Sequence, residues 1–366
     1  MIPIAKPIIG EMEKQLVNEV IASGQLAQGP KVKELEEKFA KLCKVKYAIA
    51  VNNGTAALHC ANYACGIKNG DEVITTPFTF AATANSVIMQ GARPVFVDIN
   101  EDTYNIDPTM IEEKITKKTK ALLPVDLYGQ PVEYDKLLNI AKKYNLKIID
   151  DACQAVNAEY KGKKIGSIAD VTCFSFYATK NMISGEGGVI TSNDEEIVEL
   201  CRRFRHHGQS EKTRYEYYDL GYNYRMMDLQ AAIALGQIEK LEEFTQIRRR
   251  NANLLTNGLI NIKGITPPKE INNVKHVFHQ YTIKIGEEFH TNRDKVKKML
   301  ADKGIGCGVY YPKPLHLHPH FLKFGYKQGD FPVAEKISEQ VLSLPVHPNV
   351  TKEEIEKIIS SIKNLR

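Results

Sequence analysis

Between residues 45 and 192, short apolar runs rich in β-branched side chains alternate with longer stretches of helical period. The strand-like runs are Tyr47–Val51, Glu72–Thr75, Pro94–Asp98, Ala121–Val125, Lys147–Asp150, Val171–Phe176 and Gly188–Thr191. Helices are predicted between many of them, over Ala56–Ala64, Ala82–Gln90 and Tyr134–Tyr144. An unbroken apolar strand is buried on both faces. Strand–helix alternation therefore predicts an α/β fold, with a mainly parallel sheet covered by helices on both sides. In such sheets ligands bind beyond the carboxyl ends of the strands.

Downstream the pattern changes. Asp228–Arg250 reads as one long helix with an apolar stripe of Leu229, Ile233, Leu235, Ile238 and Leu241. A loop containing Pro267 and Pro268 follows. Next come a strand over Phe278–Ile285, a helix over Asn292–Asp302, a strand over Gly306–Tyr311 and a last helix after Thr351. This predicts a large domain over residues 1–245 and a smaller C-terminal α+β domain over 246–366. No internal repeat is present.

Composition narrows the class. The 366 residues suit two domains. With 43% hydrophobic and 25% charged residues, the chain is not a disordered one. The net charge of +5 is too small to demand a nucleic-acid partner. No apolar run approaches the ~20 residues that span a bilayer, and the N-terminus lacks signal-peptide regions. The seven cysteines form no CxxC pair and read as reduced residues of a cytoplasmic protein.

Three motifs bear on chemistry. Val51-Asn52-Asn53-Gly54-Thr55-Ala56-Ala57 follows a strand and opens a helix. Its free amides, with the positive end of the helix dipole, suit an anion. An ordinary turn with Thr55 as N-cap is the plainer alternative. Ile148-Ile149-Asp150-Asp151-Ala152-Cys153-Gln154 ends a buried strand on two acids. A buried carboxylate needs a partner. That partner is a basic side chain, a protonated ring nitrogen or a metal, unless the acid merely caps a helix. No ligand set of metal-site spacing follows. Cys173-Phe174-Ser175-Phe176-Tyr177-Ala178-Thr179-Lys180-Asn181 then places a lysine in a loop before the glycine-rich Gly185–Gly188 turn. Such a lysine can form a Schiff base or simply lie on the surface. Taken together, a phosphate cradle, a strand-end acid and a loop lysine are what pyridoxal 5′-phosphate requires.

The motifs NNGTAAL, TTPFTFAATAN, DDACQA, FSFYATKN with GEGG, GYNYRMMDLQAA and GVYYPKPLH resemble those of the DegT/DnrJ/EryC1/StrS sugar aminotransferases, in order and over nearly the whole chain. The resemblance implies a fold-type-I aminotransferase that works as a homodimer. It implies amino transfer from L-glutamate to a nucleotide-linked keto-sugar, in amino-sugar biosynthesis for polysaccharides or glycoconjugates. Lys180 would hold the cofactor and then act as general base. Asp151 would pair with the pyridine nitrogen, Gln154 would sit near the ring hydroxyl, and Phe80 would stack on the ring. Gly54, Thr55, Ala56 and Ser175 would hold the phosphate. Asn223 would reach the phosphate in the neighbouring subunit. Tyr310, Lys313 and His316 match a loop that meets the sugar nucleotide. Lys31, Arg225 and Lys313 are candidate cations for a diphosphate, and the Gly24–Lys31 loop is a candidate cover for the site. Lysine at 180, where dehydratase relatives carry histidine, favours transamination.

The chain departs from the family pattern at Asp126, Val156-Asn157 and Tyr177-Ala178. Asp126 and Asn157 bear on sugar specificity rather than reaction type. His316-Leu317-His318-Pro319-His320 resembles a metal tract, but its proline and its place in the loop motif argue against metal binding. The leading expectation is C4 amination of a 4-keto-6-deoxy sugar. The rivals are a 3-keto-sugar, a cyclitol or an aminobenzoate precursor as acceptor, and a ligand-sensing regulator that keeps the fold without turnover.

Overall fold

The computed structural model describes residues 1–210, 213 and 215–365. Seven strands form its central sheet: β1 (Tyr47–Val51), β2 (Glu72–Thr75), β3 (Arg93–Phe96), β4 (Thr119–Leu122), β5 (Lys147–Asp151), β6 (Val171–Ser175) and β7 (Gly188–Ser192). Their order is β1-β7-β6-β5-β4-β2-β3. The pairs β2–β3, β2–β4, β4–β5 and β5–β6 are parallel. Strand β7 runs antiparallel to both neighbours. The sheet is thus mainly parallel, as its continuous apolar strands predict.

Both faces are covered because neighbouring strand residues point opposite ways. Ile149, Cys173 and Ile190 share a core with Ala57, Leu58 and Ala61 of helix α3 (Gly54–Ala64) and with Ile197, Cys201 and Phe204 of α6 (Glu195–Arg205). Ile148, Phe174 and Val189 face the opposite core. That core takes Leu35 and Phe39 from α2 (Pro30–Cys43), Leu137 and Ile140 from α5 (Tyr134–Tyr144), and Leu235 and Leu241 from α7 (Asp228–Leu259). Phe39 wedges between Phe174 and Phe176, with ring centroids 5.1 and 5.5 Å away. Fully burying a side chain of this kind is worth about 1.5–3 kcal/mol.

A second core lies around β8 (Ile265–Thr266), β9 (Tyr281–Ile285) and β10 (Val341–Leu344), an antiparallel sheet of that order. Helices α8 (Arg293–Asp302) and α11 (Lys352–Lys363) cover it. Helix α7 is longer than its first apolar stripe predicts. Ala252, Leu255 and Leu259 continue that stripe into the second core, and the helix ends only at Leu259. Ile2 also belongs to this core, so the N-terminus lies against the C-terminal part of the chain.

The strand expected over Gly306–Tyr311 does not form. Only Gly308 bridges to Ser343, and the Tyr310 ring lies where a Gly308 side chain would stand. The chain here turns the tyrosine back on itself instead of presenting alternate faces. The Gly24–Lys31 loop is tied down by Asp228. Its Oδ1 accepts from Gly29 N (2.8 Å) and Val32 N (3.0 Å), and its Oδ2 from Lys31 N (3.1 Å).

Candidate active site

The carboxyl ends of β5 and β6 and the amino end of α3 enclose a cavity of about 510 Å³. Strand β5 ends on Asp151, and β6 ends on Ser175. The chain then enters the lysine loop. Phe176 N donates to Gly187 O (2.8 Å), Ser184 N to Phe176 O (2.8 Å) and Asn181 Nδ2 to Val277 O (3.0 Å). The loop is fixed on both sides, and Lys180 projects into the cavity.

Asp151 is 5% exposed, and both its oxygens are engaged. Thr83 Oγ1 donates to Oδ2 (2.7 Å), and Cys153 N donates to Oδ1 (3.2 Å). Burial lowers the Lys180 ammonium below its ordinary value, while the Cys153 and Asp151 groups oppose that shift. A depressed ammonium is more readily the free amine, the form that attacks an aldehyde or accepts a proton. His279, also in the cavity, is held well below its usual range by burial and by the Lys180 and Arg248 charges. Its imidazole is therefore neutral, with Nδ1 3.4 Å from Asn181 Oδ1.

At the start of α3 the N-cap is Asn53, not Thr55. Its Oδ1 accepts from Ala56 N at 2.8 Å. The first amides of a helix lack acceptors within it. With the Ala56 amide taken, those of Gly54 and Thr55 remain for an anion, and Ala56 does not line the cavity. Gly54 stands tight against Ser175 and Cys153. A Cβ there would lie 2.9 Å from Ser175 Cβ and 3.0 Å from Cys153 Sγ.

Gly54, Thr55, Phe80, Asp151, Gln154, Ser175, Lys180 and Tyr310 all line this one cavity. Gln154 has a fixed orientation: its Oε1 accepts from Tyr128 N (2.9 Å), so its Nε2 faces Tyr311 Oη at 3.4 Å. Other expected residues lie elsewhere. His316 is fully buried against Phe331, with Nε2 2.9 Å from Glu335 Oε1, and does not line the cavity. The apolar cluster of Leu315, Phe321 and Phe331 draws it inward. Lys313 is exposed and outside the lining. Asn223 is exposed and outside its own chain's cavity. Lys31 pairs with Glu19 (3.0 Å), Arg225 Nη1 lies 2.6 Å from His206 Nδ1, and neither lines the cavity. Asp126 and Asn157 are buried and do not line the cavity; Asn157 bonds Glu242, Thr245 and Lys164.

Sequence reasoning missed Tyr311, His279, Cys153 and Thr83. Tyr311 stands beside Tyr310 in the GVYYPKPLH motif, and Thr83 closes TTPFTFAAT. Those motifs held the signal. The contacts that give the two residues a role span 157 and 68 positions.

The residues fit pyridoxal phosphate. Two helix-start amides and Ser175 form an anion cradle closed by a glycine that leaves no room for a Cβ. A buried carboxylate and a depressed lysine lie on the same cavity wall. Gly54→Ala is expected to weaken binding of pyridoxal phosphate by about tenfold, because the cradle must shift to admit the methyl group. Binding of pyridoxal, which lacks the phosphate, should change far less. Equilibrium titration of the cofactor-free protein with both compounds checks this.

Among the described residues no cluster of three or more His, Cys, Asp and Glu forms a metal site, and no helix is long and apolar enough to cross a membrane. Residues 7–363 match the DegT/DnrJ/EryC1/StrS aminotransferase family. The chain is 39% identical to GDP-perosamine synthase of Caulobacter vibrioides, over 99% of this chain and 97% of that one. It is also 39% identical to UDP-2-acetamido-2-deoxy-3-oxo-D-glucuronate aminotransferase of Pseudomonas aeruginosa, over 95% of this chain and 94% of that one. Its fold superposes on Helicobacter pylori PseC, an aminotransferase involved in pseudoaminic acid biosynthesis, with a TM-score of 0.93 at 31% identity, covering 99% and 98% of the two chains. The cavity geometry and these matches agree: the chain belongs to the DegT/DnrJ/EryC1/StrS family and is a pyridoxal-phosphate-dependent aminotransferase.

Proposed function

We propose that the chain moves the amino group of L-glutamate to a nucleotide-linked keto-sugar, with C4 of a 4-keto-6-deoxy sugar as the acceptor carbon. The observation that carries this reading is the convergence of Lys180, Asp151 and the Gly54–Thr55 turn in one cavity. The nucleotide-sugar acceptor is supported by the names of the relatives, one a GDP-perosamine synthase and one acting on a UDP-linked 3-oxo sugar. Their equal identity to this chain makes the 3-keto acceptor the second reading.

Each residue has a task. Gly54 and Thr55 amides, with Ser175, would hold the cofactor phosphate. Asp151, fixed by Thr83 and Cys153, would hold the proton on the ring nitrogen. Gln154 Nε2 would donate to the ring hydroxyl, and Phe80 would cover the ring. Bound pyridoxal phosphate supplies an electron sink for the carbon that loses its proton. Lys180 Nζ holds and moves that proton. Tyr310 and Tyr311 wall the acceptor side of the cavity and exclude water.

The working unit in this reading is a homodimer, with Asn223 completing the partner's phosphate site. Asn223 lies outside its own cavity, and the segment around it leaves Tyr217, Tyr218, Leu220 and Met227 exposed. Exposed apolar side chains of this kind support an association surface there. Seven unpaired cysteines support a cytoplasmic setting.

The test has two stages. Glutamate alone should convert the bound cofactor's visible spectrum in one turnover and release 2-oxoglutarate. GDP-, UDP- or dTDP-linked 4-keto-6-deoxy sugar should then restore the spectrum and yield the 4-amino sugar. Restoration by 3-keto sugars only would install the second reading. No response to glutamate would sink both and favour a regulator.

A further inference from the structure

Three polar side chains are sealed behind the strand end that presents Asp151. Asp126 lies on the loop after β4, Tyr134 opens α5, and Asp150 lies in β5; each is 0% exposed. Tyr134 Oη is 2.6 Å from Asp150 Oδ2 and 3.0 Å from Asp126 Oδ2. Asp126 Oδ1 accepts from Val132 N at 2.8 Å, which leaves Oδ2 for the tyrosine.

Counting protons decides the arrangement. A phenol carries one proton, and an ionised carboxylate only accepts. Tyr134 can donate to one carboxylate, so its second oxygen–oxygen contact requires a proton on a carboxyl. The shorter contact assigns the tyrosine's proton to Asp150. The remaining contact is then Asp126 Oδ2–H donating to Tyr134 Oη. Two ionised carboxylates sharing one phenol in a dry site would also be very costly.

The trio is joined to the active site through its backbone. Asp126 N donates to Asp151 O (3.1 Å), and Asp150 precedes Asp151 in the strand. We propose that Asp126, Tyr134 and Asp150 form a unit that holds two protons, one on the phenol and one on the carboxyls, with a single negative charge, placed behind Asp151 as a positioning network for its carboxylate. Asp126 carries the carboxyl proton, and Asp150 carries the charge.

The electrostatics agree. Burial, then the Asp150 charge, push Asp126 well above the usual carboxyl range, against the Val132 and Tyr134 hydrogen bonds. Burial lifts Asp150 to about 7, against the hydrogen bonds of Tyr134 and Thr172 and with the Asp151 charge. Burial and the two carboxyls hold the Tyr134 phenol in its protonated form. The groups facing the trio are Asp151 on β5, Cys173 on β6, Cys153 beyond β5, and Tyr160, whose ring lies 5.5 Å from that of Tyr134. Among the described residues no lysine, arginine or histidine forms an ion pair with Asp126 or Asp150.

Infrared spectroscopy of the protein carrying isotope-labelled aspartate tests the proton. At about pH 8, roughly four units above the ordinary aspartate value, a protonated-carboxyl band should persist. It should vanish in Asp126→Asn. The pH midpoint of the bound cofactor's visible absorption tests the charge. Asp150→Asn removes a nearby negative charge and should lower that midpoint by about one unit. Asp126→Asn keeps both the donor and the net charge, and should leave the midpoint within about 0.3 units. A missing carboxyl band overturns the proposal, as does an unmoved midpoint in Asp150→Asn or an equal shift in both variants. If Asp126→Asn fails to fold, the wild-type band and the Asp150→Asn midpoint still decide. Neither readout uses a sugar acceptor, so a wrong acceptor assignment would leave both intact.

Discussion

Lys180→Ala is expected to lower turnover by about 10⁴-fold, the upper range for removal of a placed general base. The same change should leave the cofactor free to dialyse away. Lys180 has two tasks in the proposed reaction: it anchors the cofactor and carries the proton. Both depend on an amine that burial makes easier to deprotonate. Borohydride should trap the cofactor on the Lys180 peptide of the wild-type chain and on no peptide of the variant. A small primary amine added to the buffer should restore part of the proton transfer without restoring the trap. The fold should hold, because among the described residues the Lys180 side chain joins no ion pair and the loop is fixed by backbone contacts at Phe176 and Ser184. Turnover within tenfold of wild type would remove Lys180 from the mechanism.

The sheet was legible because its signal is local and redundant. Each strand is a short apolar run, and residues such as Ile148 and Ile149 serve opposite cores one position apart. Lys180, Asp151 and Gly54 were legible for a related reason: each lies at a strand end or a helix start, where the backbone itself dictates a use. What stayed hidden depends on contacts between distant segments. Nothing near residue 316 announces that Glu335 and Phe331 will pull His316 out of the site. The Ala56 amide looked free because the capping strength of Asn53 shows only once the turn is built. Tyr311 gains its place by meeting Gln154 across 157 positions, and Thr83 by meeting Asp151 across 68. The strand misread at Gly306–Tyr311 has the apolar and aromatic content of one. Yet its glycines let the Tyr310 ring fold back over position 308, which alternation alone does not reveal.

Asp151→Asn is expected to cost about 10³-fold in the rate of glutamate half-turnover, with a smaller effect on cofactor affinity. The asparagine keeps the shape and loses the charge that, in the proposed reaction, would hold a proton on the cofactor's ring nitrogen. Breaking one side of a buried ion pair costs about 3–5 kcal/mol. At about 1.36 kcal/mol per decade of rate, 3–5 kcal/mol corresponds to between two and four decades. The side chain is well held for this task, since Thr83 and Cys153 N each take one oxygen and fix the plane of the carboxylate. Thr83→Val removes one of these bonds and leaves the charge, so its loss should be about tenfold, the size of a single hydrogen bond. The order of the two variants is the sharper test. A charge-based role requires Asp151→Asn to be far worse than Thr83→Val, with thermal midpoints that stay close together. If the two were equally impaired, the carboxylate would matter for its geometry alone, and the electron-sink role assigned to the ring would lose its support.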